Sequence, residues 1–270
     1  MIKDITIGQF FPGQSLVHRL DPRTKIILTF VFIVILFIVR NFSGYIFVAA
    51  FIIIPALISR VPVKYLLKGL RPLLFILILT VVINAIFTPG ETVVYTIGSV
   101  SITEEGLRQA GFMGLRLIFL VLGTSLLTLT TSPISLTDGI EQLLNPLRAF
   151  KFPAHELAMM MTIALRFIPT LLEETDKIMK AQMARGADFT GGNLLKRAKS
   201  LVPLLVPLFI SAFRRADELA MAMEARCYRG GVNRTRLKVL KFEAIDLYAA
   251  IFMLVIILGV IWDSYFRASL

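Results

Sequence analysis

Five apolar runs set the terms on which this chain can fold: Ile26–Val39, Tyr45–Ile58, Pro72–Phe87, Gly111–Thr130 and Ile245–Trp262. Between them they hold two charged residues, Arg116 and Asp246. A backbone in hydrocarbon must satisfy its own hydrogen bonds, so runs of this kind span as helices. Five membrane helices is the simplest count. The first two runs hold fourteen residues each, or roughly 21 Å at the helical rise against a hydrocarbon layer of roughly 30 Å. They must borrow flanking residues or form a shallow hairpin, with Arg23, Lys25, Arg40 and Arg60 snorkelling to the headgroups. The hydrophobic share of 56% agrees with a membrane protein.

Charge orients the helices. Lys3, Arg19, Arg23 and Lys25 precede the first run, and Arg60, Lys64, Lys68 and Arg71 lie between the second and third. The loop after the first run offers Arg40, and residues 88–110 set Arg108 against Glu91, Glu104 and Glu105. The positive-inside rule places the N-terminus in the cytoplasm. The first residues are too polar for a cleaved signal, and Trp262 and Tyr265 read as interface anchors of the last helix. A net charge of +11 calls for a partner surface, and the hydrophobicity favours lipid headgroups or an acidic protein over nucleic acid.

The expected organisation is all-α: residues 1–131 carry four membrane helices, 132–243 form a cytoplasmic or interfacial segment of long amphipathic helices, and 244–270 hold the last membrane helix. In the middle segment Ile140, Leu143, Leu144 and Leu147 share one helical face, with Pro146 ending or kinking that helix. A long helix follows from His155 to Gly186, bent at Pro169 and supported by Glu173–Lys177 and Asp176–Lys180 pairs. A second follows from Leu194, with Pro203 and Pro207 as bends and Gly230 and Gly231 as its stop. Its run Leu201–Phe213 is short and holds two prolines, so it reads as interfacial or buried in protein, with a sixth span as the alternative.

Both long helices end alike. A shift of forty-one positions carries Asp176 onto Asp217, Ala184 onto Ala225, Arg185 onto Arg226 and Gly186 onto Cys227. One such end is an ordinary helix C-terminus, its cation facing the negative dipole and glycine supplying the left-handed turn. Two in register, each arginine flanked by small residues, suggest two related docking sites where a guanidinium reaches a carboxylate. Met159, Met160, Met161, Met179, Met183, Met221 and Met223 lie along these helices; methionine fills irregular cores and also suits a surface that follows a moving partner.

Catalytic signatures do not arise. The chain lacks GxxxxGK[ST], the spacing in GGNLLKRAK being wrong for a phosphate loop. His155 in HELAM has no second zinc ligand, and Cys227 has no partner for a disulfide. Thr80, Asn84, Arg116, Thr124 and Ser125 are few polar groups for a carrier's midplane path. Arg116 reads as snorkelling or pairing with Glu104 or Glu105.

In FFPGQSLVHRLDPRTKI (Phe10–Ile26), LRFIPTLLEE (Leu165–Glu174), ARG (Ala184–Gly186) and EARCYRGG (Glu224–Gly231), taken in order along nearly the whole chain, the sequence resembles the transmembrane T components of energy-coupling factor transporters. The resemblance implies a non-catalytic scaffold of an ABC-type importer of vitamins or metal ions. Its partners would be two cytoplasmic ATPases, which bind ATP and Mg, and a small membrane subunit that captures the substrate. Arg185 and Arg226 would enter acidic grooves, one on each ATPase, with Ala184, Gly186 and Ala225 permitting close approach. Cys227 replaces the family's glycine, and Arg229–Gly230 supplies a rival arginine. A conventional ABC permease and a self-sufficient carrier are the other readings.

Overall fold

A computed structural model describes residues 10–39, 41–97, 100–150, 152–187, 189, 191, 193–230 and 240–268. Lys3, Arg40 and Gly231, given roles above, lie outside the described residues. Among the described residues the architecture is helical apart from one β-hairpin. By internal contacts the chain forms two compact units, one of residues 141–230 and the other of residues 10–140 with 240–268.

The larger unit opens with a single turn, α1 (Leu16–Arg19), and continues into α2 (Pro22–Ile38), whose start the sequence specifies twice. Asp21 caps it by accepting from the Arg23 N–H, and Pro22 occupies the first turn, where a missing N–H costs nothing. Helix α3 (Gly44–Ser59) runs through Pro55 and stops at Arg60 in the left-handed conformation (φ 54°). Helix α4 (Val63–Leu70), a 3₁₀ turn at Arg71–Leu73 and α5 (Leu74–Phe87) make one 25-residue helical run, with Lys64, Lys68 and Arg71 near its start. The hairpin β1 (Val93–Ile97) and β2 (Val100–Thr103) follows, Ile97 opposite Val100. Thr103 then caps α6 (Glu104–Thr130), accepting from the Gly106 N–H at 3.1 Å.

Phe32, Leu36, Val48, Tyr45, Ile52, Phe112 and Met253 pack the core where α2, α3, α6 and the last helix, α10 (Ala244–Ala268), meet. Phe51 stacks on Phe32 at 4.9 Å and on Phe252 at 6.1 Å. The outer faces stay apolar: Phe75, Ile78, Leu79 and Val82 on α5 and Leu254, Val255 and Leu258 on α10 are exposed. A surface of this kind belongs in lipid or against another apolar protein.

Among the described residues four helices have the length and composition to cross a membrane: Val63–Phe87, Glu104–Thr130, Ala154–Ala184 and Ala244–Tyr265. Three of them contain the third, fourth and fifth expected spans. The first two expected spans are α2 and α3, of 17 and 16 residues, about 25 Å long and therefore short of the layer. Ala154–Ala184, read from sequence as cytoplasmic or interfacial, meets the same criteria through its apolar N-terminal half. The whole is a multi-pass membrane protein.

Two sequence expectations change. Arg116 pairs with neither Glu104 nor Glu105; its Nη2 donates to the Val39 carbonyl at 3.4 Å, at the C-terminus of α2, and its guanidinium lies 5.3 Å from the Phe37 ring centre. The negative end of α2 is the closer attraction. Glu105 is taken by the Thr92 hydroxyl. Nor are Glu173–Lys177 and Asp176–Lys180 among the ion pairs of the described residues. Holding two long exposed side chains in one geometry gains little.

Candidate functional site: two arginine-bearing helix ends

The smaller unit centres on α8 (Ala154–Ala184) and α9 (Leu194–Ala225), reached through α7 (Pro133–Leu144) and a 3₁₀ turn at Asn145–Phe150. Helix α7 gives way to the 3₁₀ turn just before Pro146, which has no N–H for a further i→i−4 bond, whereas α8 runs on through Pro169 and α9 through Pro203 and Pro207.

At the end of α8 the Gly186 N–H donates to the Met183 carbonyl at 3.0 Å and the Ala187 N–H to the Gln182 carbonyl at 3.0 Å. Gly186 is left-handed at φ 89°. This is a Schellman closure, with Arg185 as the C-cap. The end of α9 repeats it bond for bond. The Cys227 N–H donates to Glu224 at 2.8 Å, the Tyr228 N–H to Met223 at 3.0 Å, and Cys227 is left-handed at φ 55°. Cys227 thus does in α9 what Gly186 does in α8, against the steric penalty of a β-carbon in that conformation.

The equivalence extends to the arginines. Arg185 and Arg226 hold the same position, one residue before the left-handed turn. Arg229 follows that turn by two residues, outside the helix, beside a second left-handed residue, Gly230 at φ 83°. Ala184, Arg185, Gly186, Ala225, Arg226, Cys227 and Arg229 are all exposed, and Gly230 is half-buried. Each C-cap arginine therefore projects from a helix end, free of its own core.

Helices α8 and α9 pack side by side and run antiparallel. His155, at the start of α8, has its Nε2 3.5 Å from the hydroxyl of Tyr228, just past the end of α9. Further along α8, Glu174 accepts a bond from Arg215 Nη2 at 3.0 Å. A groove between them is lined by Ile163, Phe167, Leu171, Ala212, Ala216 and Leu219. From the Glu174–Arg215 contact each helix continues eleven residues to its arginine, about 16 Å at the helical rise. Because the helices are antiparallel, those arms point in opposite senses, and the two ends stand up to about 33 Å apart.

Met160, Met161, Met183 and Met221 are exposed, which suits the reading of methionine as an adaptable surface. Sequence reasoning missed the Glu174–Arg215 bond and the group around His155, whose Nδ1 lies 3.0 Å from Glu141 Oε1. Glu174 and Arg215 were legible in one respect, since they too stand forty-one positions apart. The triad of Glu141, His155 and Tyr228 left no local signal.

Comparison with known proteins places the chain. The family model CbiQ, described as cobalt transport protein, matches residues 13–237. The energy-coupling factor transporter transmembrane protein EcfT of Thermosediminibacter oceani is 65% identical over 250 residues, 93% of this chain and 94% of that protein. The protein of the same name from Clostridium kluyveri is 59% identical, over 95% of this chain and 96% of its own length. That of Bacillus subtilis is 51% identical, over 95% and 97%. A chain with two matched arginine helix ends on an apolar helical scaffold, and with this similarity along nearly its full length, belongs to the CbiQ family of energy-coupling factor transporter transmembrane proteins.

Proposed function

We propose that this chain is the non-catalytic scaffold of an ABC-type importer, coupling ATP hydrolysis by two cytoplasmic ATPases to uptake of a vitamin or metal ion held by a separate small membrane subunit. Residues 1–131 and 244–270 form the membrane part and 132–243 the coupling part, with the N-terminus in the cytoplasm. Arg19 at the end of α1, Arg23 and Lys25 at the start of α2, and Lys64, Lys68 and Arg71 early in the 63–87 run, favour that orientation. Arg185 and Arg226 enter acidic grooves, one on each ATPase, and Ala184, Gly186, Ala225 and Cys227 let those grooves close around them. ATP and Mg are held by the ATPases.

The observation that carries this reading is the duplicated helix end. Identical closures with exposed C-cap arginines, pointing in opposite senses from one helix pair, fit two like sockets on two bodies better than two sites on one. Arg226 is the docking arginine of the second end, because it and not Arg229 has the backbone position of Arg185.

The test is co-purification. Arg185→Glu with Arg226→Glu is expected to abolish capture of both ATPases from detergent extracts while the chain still inserts in the membrane. Undiminished capture would refute the docking assignment.

A further inference from the structure

The stretch Asp21–Lys25, within the LDPRTK sequence that the docking ends leave unexplained, gathers a set of buried polar contacts in the larger unit. Asp21, Lys25 and Asp246 are each about nineteen-twentieths buried, at 5%, 6% and 5% exposure. Buried charges persist when ion pairs or hydrogen bonds replace their hydration: Asp21 is paired with Arg23, and Lys25 and Asp246 are bonded to backbone groups. Asp21 receives Arg23 bidentately, Nε to Oδ1 at 3.0 Å and Nη2 to Oδ2 at 2.8 Å. Asp246 in the first turn of α10 accepts from the Asp21 N–H at 2.9 Å with one oxygen and from the Glu243 N–H at 2.9 Å with the other. One carboxylate thus caps its own helix and holds the start of α2.

What these bonds hold is the chain at its two crossings out of and into this unit. The outgoing segment is the end of α6 and then α7. Lys25 Nζ donates to the carbonyl of Thr130, the last residue of α6, at 2.9 Å, where a cation also meets the negative helix end. On α7, Gly139 sits so close to Pro22 and Ile26 that a β-carbon there would stand 3.0 Å from Pro22 Cβ and 3.1 Å from Ile26 Cδ1. The returning segment is Leu240–Asp246. Arg23 lies 3.9 Å above the Phe242 ring centre and donates to the Leu240 carbonyl at 3.4 Å, and Asp246 closes the contact.

We infer that Asp21, Arg23, Lys25 and Asp246 form a transmission clamp: they fasten both segments that lead to and from the arginine-bearing helices onto the first membrane helix, so that displacement of those helices becomes displacement of the membrane core. This rests on the scaffold reading above. A tether through covalent loops alone would dissipate the displacement in backbone torsions. A buried, bidentate, multiply bonded anchor passes it on, because packed interiors deform in discrete steps. These residues touch neither ATPase grooves nor substrate in this account; they are positioning residues.

The experiment uses the full complex purified with its ATPases and substrate-binding subunit and reconstituted in vesicles. Radioactive cobalt(II) and tritium-labelled B vitamins are screened, and the tracer with the largest ATP-driven uptake by the unmodified complex is carried forward. Asp246→Asn is expected to retain both ATPases and hydrolyse ATP within about twofold of the parent, while tracer imported per ATP falls about tenfold, the loss of one buried charge-assisted contact. Asp246→Glu is expected to recover part of that loss. Phe242→Leu, at an exposed site that leaves insertion intact, is expected to lower tracer per ATP about threefold by removing the ring beneath Arg23.

Unchanged tracer per ATP in Asp246→Asn overturns the clamp. So does loss of ATPase capture in parallel with uptake, since the residues would then act on docking. If Asp246→Asn fails to insert, Phe242→Leu decides: parental coupling in that variant also overturns the clamp. Failure of the docking reading shows separately, as ATPase capture by the Arg185→Glu, Arg226→Glu chain.

Discussion

Glu174 Oε2 and Arg215 Nη2 lie 3.0 Å apart in space and forty-one positions apart in sequence, the same interval that separates Arg185 from Arg226. When a position on one helix touches its own counterpart on the other, the two helices are related by an approximate two-fold at that point. The arms from this contact to the arginines are consequently equal. An antiparallel pair built this way carries two like ends at opposite sides, which is the geometry the proposed function requires.

Reversing either member of that pair isolates its contribution. Glu174→Arg or Arg215→Glu is expected to lower the thermal midpoint of the purified chain, and the double reversal to recover most of the loss. Side-chain exposures of 25% and 34% keep the coupling to about 1 kcal/mol or less. A thermal-unfolding double-mutant cycle measures it, and complete additivity would show that packing alone sets the crossing.

The two left-handed caps make opposite predictions for small substitutions. Gly186→Ala adds a β-carbon at φ 89° and is expected to destabilise the end of α8 by about 1 kcal/mol. Cys227→Gly removes one at φ 55° and is expected to stabilise the end of α9 by up to about 1 kcal/mol. Amide hydrogen exchange at residues 183–187 and 224–228 reads both effects directly.

Between the rival arginines, Arg226→Ala is expected to weaken capture of one ATPase at least about tenfold, and Arg229→Ala by less than about threefold. Titrating each purified variant with the ATPases provides the comparison. A larger loss for Arg229→Ala would move the docking role beyond the helix.

Acid loosens the N-terminal segment before it reaches the clamp. Burial lowers the pKa of His18 below its ordinary 6.5; the bond to the Phe11 carbonyl opposes this and nearby Lys25 adds to it. The neutral ring donates through Nε2 to Phe11 O at 3.0 Å, and its Nδ1 accepts from the Ser15 hydroxyl at 2.7 Å. Between the depressed folded value and 6.5 the unfolded segment takes up a proton that the folded one refuses, so stability is lost as pH falls through that window. Asp21 does not share this transition. Burial raises its pKa, but its bonds to Arg23 outweigh that and hold it below the ordinary 3.8. Its stabilising contribution is therefore present above 3.8 and lost only as pH falls through the lowered value. Protease protection of residues 10–20 is expected to fall between about pH 7 and pH 5, and His18→Gln to flatten that dependence.

Much of the architecture was legible because burial in lipid and helical periodicity are local properties. Apolar runs marked α2, α3, α5, α6 and α10, Pro146 marked the end of α7, and the forty-one-residue interval marked two matching helix ends. The substitution of Cys227 for glycine left the second end open between Arg226 and Arg229. Backbone conformation resolved which arginine has the position of Arg185, since a left-handed turn is a property of torsion angles that one-letter identity does not report.

Other features belong to the tertiary structure alone. Arg116 turned from Glu104 and Glu105, in the first turn of its own helix, to the carbonyl end of α2, a choice made by which dipole lay closest in space. Asp21 and Asp246 stand 225 positions apart, and nothing local to either points to the other. Folding set the two carboxylates in one buried network with Arg23 and Lys25. Sequence determined which segments are helices and where they end, because hydrogen bonding and hydrophobic periodicity act over a few residues. The tertiary structure decided which ends oppose one another and which charges are paired, because those depend on distances that only packing sets.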